Sequence, residues 1–278
     1  MPKVLITGAS SYVGARLYAD LRKKFDVTGT YHSTPLFPEL VKLDVTNSGE
    51  VQETVFRLKP DFVVHVAANP SAKWCEENPT LAKKLNEDGT QNVVDAANRI
   101  HAKVIYMSSV AAKKPSSLYG KTKGEGEKIA VQTKAGYVIL RPSLIIGFSP
   151  NTVNDRAYNR LLKNIMEKTP AVYDTSWKFR PTWIGHISEI IEKVIDRNIT
   201  GETIPILVPT LKSRFDIAKD LLTAFGIQAA PKDLNDTTPA DSEDLDKLRQ
   251  LDLPQYTYPE ILEKIIRETK DYLQSIRS

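Results

Sequence analysis

Residues 3 to 142 alternate short apolar, β-type runs with helical stretches, and this alternation restricts the fold more than any other feature of the chain. The strand-like runs are Lys3–Thr7, Val27–Tyr31, Leu43–Val45, Phe62–Ala68, Lys103–Met107 and Tyr137–Leu140. Helical patterns separate them: Ala15–Phe25, a stretch capped by Asn47 and broken by Pro60, one opened by Asn78-Pro79 and running to about His101, and one carrying Tyr119. Strands joined by helical crossovers of one hand must lie parallel, with helices covering both faces. The expectation is therefore an α/β fold with a doubly wound parallel sheet. In such a sheet ligands bind at the carboxyl ends of the strands.

Those ends carry the informative residues. The first strand runs into Gly8-Ala9-Ser10-Ser11-Tyr12-Val13-Gly14 and then a helix. Free N–H groups and the positive end of the helix face an anion there, and glycine lets the backbone approach it closely. Only the outer glycines of a Gly-x-x-Gly-x-x-Gly loop are present, with Ser11 at the middle position, and a plain tight turn would look similar. With the first strand this near residue 1, the dinucleotide reading is favoured. The second strand ends in Tyr31-His32-Ser33, without the acid that usually binds a ribose 2′-hydroxyl. His32, Ser33 and Arg16 are candidates for a 2′-phosphate, which leans the cofactor toward NADP with NAD still open. Small residues, Ala67-Ala68, leave ligand space at the end of the fourth strand.

The fifth strand delivers Ser108-Ser109, and ten positions later comes Tyr119-Gly120-Lys121-Thr122-Lys123. Tyr119 and Lys123 share one helical face. A phenol titrates near pH 10, and a nearby cation lowers that value toward a usable proton donor. The spacing alone is common in surface helices. Its weight comes from the strand ends around it.

Beyond Ser143 the order loosens. Helices are expected over 155–168, 186–197, 213–225 and 259–276, a strand over 204–208, and an exposed loop over the Pro-, Asp- and Thr-rich stretch 229–242. Residues 1–143 are expected to form an NAD(P)-binding Rossmann domain, to which later segments return, and 144–278 mainly a smaller α/β substrate lobe. Paired, scattered lysines and a net charge of +4 argue against a nucleic-acid partner. The single cysteine, Cys75, excludes an internal disulfide framework and is expected to pack in the interior. The four histidines are too widely spaced to suggest a metal site. No charged leader and no membrane-length apolar run is seen, so the expected location is cytoplasmic with no membrane partner.

Taken together, Thr7-Gly8 with Gly14, Asp44-Val45, Ala67-Ala68, Asn86, Ser108-Ser109, the Tyr119–Lys123 segment and Arg141-Pro142 resemble the extended short-chain dehydrogenase/reductases. Cys75-Glu76-x-x-Pro79 and Arg180-Pro181-Thr182-Trp183 narrow the resemblance to the dTDP-4-dehydrorhamnose reductases and the related β regulatory subunit of methionine adenosyltransferase. The resemblance implies an NADP-dependent reductase of a keto group on a nucleotide-sugar-like substrate. Tyr119 would be the general acid, Lys123 would lower its pKa and bind the nicotinamide ribose, and Ser109 would hold the carbonyl oxygen. It also implies cofactor contacts from Gly8, Ser10, Ser11, Tyr12, Val13, Gly14, Asp44, Val45, Ala67, Ala68, Asn69, Tyr119 and Lys123, and substrate contacts from Arg180 and Trp183. Asn86 reads as structural, and Ser109 has an alternative as a serine bonded to backbone. The family's acidic, aromatic loop before the tyrosine helix is replaced here by Val110-Ala111-Ala112-Lys113-Lys114-Pro115, whose lysines read as solvated. Two alternatives stay open: a non-catalytic dinucleotide-binding regulatory subunit, and a nucleotide-sugar epimerase. A homodimer is a further expectation.

Overall fold

The computed structural model describes residues 1–278 apart from 239, 241 and 278. Seven strands form one parallel sheet: β1 (Lys3–Thr7), β2 (Asp26–Tyr31), β3 (Val41–Lys42), β4 (Phe62–His65), β5 (Lys103–Met107), β6 (Tyr137–Pro142) and β7 (Glu202–Ile206). Their spatial order is β7-β6-β5-β4-β1-β2-β3. The order reverses between β1 and β4, where register pairs Thr7 with His65. A crevice opens at such a switch point, outside the carboxyl ends.

The period of two along each strand explains the layering. Val4, Ile6, Val64, Ile105, Val138 and Leu140 face one side. There they pack on helices α1 (Tyr12–Leu21) and α6 (Ile184–Asp196), which contribute Leu17, Leu21, Ile187, Ile190 and Val194. Leu5, Val63, Val104 and Ile139 face the other side. That layer is closed by α2 (Ser48–Leu58) and α3 (Gly89–Ile100), through Val51, Val55, Val93 and Val94. Helix α4 (Leu118–Ala130) packs beside α3 along the same face. A separate core joins α5 (Ala157–Glu167), α7 (Arg214–Thr223) and α8 (Tyr258–Ser275) through Leu161, Leu162, Leu221 and Ile261.

Several expectations shift in detail. Leu43–Val45 is not a strand. The pairing to β2 falls at Val41–Lys42, and the following residues turn into an Asp44-centred loop whose carboxylate accepts from the Thr46 N–H and hydroxyl at 2.9 and 2.8 Å. The helix expected from Asn78 to about His101 runs without a gap from Pro79 to Ile100, with a π-helical turn at Lys84–Asp88 between Pro79–Lys83 and α3. A short helix over Ala72–Glu77 precedes it. Within the stretch expected as a loop, Ala229–Lys232 forms a parallel pair with Ala171–Asp174, and residues 239 and 241 lie outside the described residues. Among the described residues, no helix is long and apolar enough to cross a membrane.

Candidate active site

The cleft at the switch point has a volume of about 760 Å³. Its floor follows from glycine chemistry. Gly8 has φ +72, a left-handed conformation that only glycine adopts freely, and a Cβ there would sit 3.0 Å from Ala67 Cα. A Cβ on Gly14 would lie 2.1 Å from the Gly8 carbonyl oxygen, so α1 can start directly behind the loop only with glycine at that position. Ser11 is the N-cap of α1, and its Oγ accepts from the Gly14 N–H at 3.1 Å. This accounts for serine at the middle glycine position. Thr7 ties the loop to β4: its hydroxyl meets His65 Nδ1 at 2.8 Å and accepts from the Val66 and Ala67 N–H groups at 3.1 and 3.3 Å. Burial holds the His65 ring well below the ordinary imidazole value, at about 3, so it stays neutral as a structural bridge.

Gly8, Ser10, Ser11, His32, Ser33, Asp44, Val45, Ala67 and Ala68 all line this cleft, as expected of a cofactor site. His32 Nδ1 and Ser33 Oγ are 2.9 Å apart, both exposed at its rim. Asn69 is placed one residue further on, with its N–H held at 2.9 Å by Asn86 Oδ1. Other expected residues turn away. The Tyr12 side chain is buried in the smaller core and donates to the Gly147 carbonyl. Val13 packs between the two cores. Arg16 does not reach His32. It donates to Asp20 Oδ2 at 2.5 Å, the Phe148 carbonyl at 2.8 Å and Glu268 Oε1 at 2.7 Å, so it joins α1 to α8 and offers nothing to a 2′-phosphate. The sequence reading missed the far wall, where Trp74, Leu81, Lys84 and Asn151 contribute. Trp74, Leu81 and Lys84 stand on short helical segments and Asn151 on a loop.

Tyr119 stands on the first turn of α4, which is capped by Ser117 accepting from the Gly120 N–H at 3.2 Å. Gly120 permits the helix to meet the turn after Ser109, since a Cβ would fall 2.6 Å from the Ala111 carbonyl oxygen. The Ser109 hydroxyl accepts from the Ala111 N–H at 3.2 Å, the backbone-bonded arrangement that was its alternative, and it also acts on the Tyr119 phenol in the direction that lowers its pKa. Asn86 locks this helix to the cleft: its Nδ2 donates to Thr122 Oγ1 at 3.0 Å while its side chain also brackets Asn69. Asn86 is 1% exposed and acts as the structural residue expected of it, from within the π-helical turn.

The electrostatics differ from the expectation. Burial pushes the Tyr119 phenol up to about 12, and the Ser109 hydroxyl and the Arg156 charge pull against it. Lys123 is not the cation acting on the phenol. Its ammonium lies over the Tyr106 ring, 4.3 Å from the centroid, and burial brings its own pKa down to about 7, with Glu127 opposing. Glu127 is itself engaged: Arg141 donates to it from Nε at 2.8 Å and Nη2 at 2.6 Å, and Ser108 donates a short hydrogen bond.

Trp183 is 5% exposed, and its indole N–H donates to Glu268 Oε2 at 3.2 Å. Its ring packs edge-on against Tyr256 and forms part of the smaller core, so it is a packing residue rather than a pocket residue. Arg180 donates to the Pro209 carbonyl at 3.2 Å and does not line the cleft. Lys113, expected to be solvated, holds the segment before Asp246. It donates to the Ser242 carbonyl at 2.8 Å and lies 3.5 Å from Glu243, which Arg141 also meets at 3.5 Å.

A parallel sheet with a glycine loop and a crevice at its switch point defines the class: an extended short-chain dehydrogenase/reductase fold. The sequence matches the RmlD substrate binding domain over residues 2–249, and the chain belongs to that family. The β subunit of bovine (Bos taurus) methionine adenosyltransferase 2 is 25% identical over 230 residues, covering 77% of this chain and 66% of that protein. The chain thus spans about two-thirds of the length of that relative. A dTDP-4-dehydrorhamnose reductase of Aggregatibacter actinomycetemcomitans is 28% identical over 219 residues, covering 73% of this chain and 71% of the relative. In fold, the chain is similar to the dTDP-4-dehydrorhamnose reductase of Bacillus anthracis solved in complex with NADP. The TM-score is 0.82 at 22% identity, covering 97% of this chain and 100% of that one.

Proposed function

We propose that this protein is an NADP-dependent reductase of a keto group on a nucleotide-sugar-like substrate. The observation that carries the reading is the cleft at the carboxyl ends of the sheet, whose glycine-tight floor suits a dinucleotide, together with Ser109 after β5 and Tyr119 on the capped first turn of α4. The cleft fits that group: it has a glycine-tight floor, a capped helix start facing it, and Asp44 and His32 at the adenosine end. NADPH, when bound, supplies the hydride.

The chain's own residues do the rest. Tyr119, protonated at every pH below about 12, is an acid that can deliver a proton to a carbonyl oxygen at Oη. Ser109 Oγ donates to the same oxygen and stabilises negative charge as it develops. Lys123, titrating near pH 7 and four residues on along the same helix face as Tyr119, would hold a ribose hydroxyl. Asn86 and Thr122 fix the helix relative to the cleft. The test is oxidation of NADPH in the presence of dTDP-4-dehydrorhamnose and a panel of other keto-sugar nucleotides. Turnover is expected from the wild type, with a loss of about 10²–10⁴-fold in Tyr119→Phe. No turnover across the panel refutes the reading.

A second reading, a dinucleotide-binding regulatory subunit, draws support from one feature. The loop after Ser109 is short, and its Lys113 is committed to the Ser242–Glu243 segment. Recovery of one stoichiometric enzyme partner, with NADP binding and no reductase activity, would select it.

A further inference from the structure

Arg156 acts on Tyr119 and is left unused by this chemistry. It lies half-buried at the N-cap of α5, and among the described residues its guanidinium makes no hydrogen bond and no ion pair. The adjacent acid is taken: Asp155 accepts from Arg160 Nε at 2.5 Å and Nη2 at 2.6 Å. Nor does the helix start explain an arginine there. A cation at the positive end of a helix is unfavourable, and this cap supplies no acceptor to the free N–H groups.

The loop that carries Arg156 is nevertheless built firmly. Asn151 Nδ2 donates to the Ser10 carbonyl at 2.7 Å, and Asn151 Oδ1 accepts from the Asn154 N–H at 3.0 Å. Asn159 Nδ2 donates to the carbonyls of Asn151 and Asn154 at 3.0 and 2.9 Å. Ser149 Oγ donates to the Tyr12 carbonyl at 2.6 Å. The loop is thus knitted to the glycine loop, with Asn151 and Asn154 lining the cleft and the Arg156 charge, two residues on, acting on the Tyr119 and Tyr12 phenols. Burial holds its guanidinium below the ordinary value, and Tyr119 heads the groups acting against that. A fixed, partly desolvated arginine without a protein partner, beside a proton donor, is a receptor for an oxyanion: its planar fork matches a carboxylate or a phosphate.

We infer that Arg156 binds an oxyanion of the substrate close to the carbonyl that Tyr119 protonates, so the substrate carries a carboxylate or phosphate group near its reacting carbon. This deepens the reductase reading and rests on it. Two sources offer the same chemistry, an acidic sugar ring or the diphosphate of a nucleotide sugar, and a matched pair of ligands separates them. The NADP-loaded full chain is titrated calorimetrically with UDP-glucuronate and with UDP-glucose, as wild type, Arg156→Gln and Arg156→Lys. NADP affinity, read in parallel, reports that each variant is folded.

If the ring carboxylate is read, the wild type prefers UDP-glucuronate by about 10-fold or more, and Arg156→Gln erases the preference while leaving UDP-glucose unchanged. If the diphosphate is read, Arg156→Gln weakens both ligands alike by about 10- to 100-fold, with partial recovery in Arg156→Lys. Either result supports the oxyanion site. Equal affinities in wild type and Arg156→Gln, or no binding of either ligand by wild type, overturn it. Failure of the reductase reading looks different: Arg156-dependent binding persists while no keto-sugar nucleotide oxidises NADPH.

Discussion

Replacing Lys123 by methionine should make the protein more stable and leave it without reductase activity. Lys123 is 3% exposed, and burial lowers its pKa from 10.5 to about 7. A lysine depressed in the folded state costs stability wherever the unfolded chain holds the proton more tightly. The sign follows from linkage: the cost is fully present below pH 7, shrinks as pH rises, and vanishes above about 10.5. Its size is the shift, 3.5 units from the two values, times about 1.4 kcal/mol per unit, or about 5 kcal/mol before the site relaxes. Methionine gives up the cation–π contact with Tyr106, worth about 1–2 kcal/mol when desolvated, and recovers part of it as a sulfur–aromatic contact. A net gain of roughly 1–3 kcal/mol at pH 6 is expected, which is roughly 2–12 °C in Tm for a chain of this size. Urea unfolding of both proteins at pH 6, 7, 8 and 9 measures it. The advantage of Lys123→Met should fall by about 1 kcal/mol for each pH unit above 7. A variant less stable than wild type at pH 6, or a difference that stays flat from pH 7 to 9, refutes the reasoning.

Three further outcomes are expected. Gly14→Ala puts a Cβ 2.1 Å from the Gly8 carbonyl oxygen and should abolish NADP binding, measured by fluorescence titration, because α1 must move off the loop. Gly126→Ala places a Cβ 2.0 Å from the buried Tyr106 hydroxyl, and a loss of about 1–3 kcal/mol is expected in urea unfolding. Lys113→Ala leaves the buried Glu243 carboxylate with Arg141 as its cationic partner among the described residues. Limited proteolysis between residues 229 and 245 should then speed up several-fold with the global unfolding midpoint nearly unchanged.

The short apolar runs alternating with helical stretches were enough to give the sheet, because each buried parallel strand needs apolar residues on both faces whatever lies around it. The glycine loop and the Tyr119 helix were legible for the same kind of reason: Gly8, Gly14 and Gly120 answer local steric demands that the spacing itself encodes. What failed was the assignment of long side chains. Arg16 has the right distance along the chain to reach a 2′-phosphate, but it sits on the face of α1 turned toward α8, where Asp20 and Glu268 claim it. Trp183 stands in a motif that suggests a pocket, yet its N–H has Glu268 and its ring has a core to fill. Lys123 has the correct helical spacing to Tyr119, but spacing carries no information about Tyr106 beneath it, which comes from a neighbouring strand.

The converse error concerns Arg156, which no pattern singled out. It follows a run of polar residues, Asn151 to Asp155, that reads as an ordinary loop. Only the fold reveals that the asparagines bind backbone rather than solvent, and that Asp155 has been given to Arg160. A surface arginine next to an aspartate would count for little. With the aspartate occupied and the loop fixed to the glycine turn, the same residue is left as the cation proposed to meet the substrate beside Tyr119. The cation that tunes Tyr119 and the cation that would read the substrate are then one group. Binding of an oxyanion by Arg156 would partly neutralise the charge that lowers the phenol, so the Tyr119 pKa should rise when the substrate is bound. A phenol already protonated at neutral pH becomes a weaker acid by that rise, so under the proposal substrate recognition by Arg156 would oppose the acid strength of Tyr119.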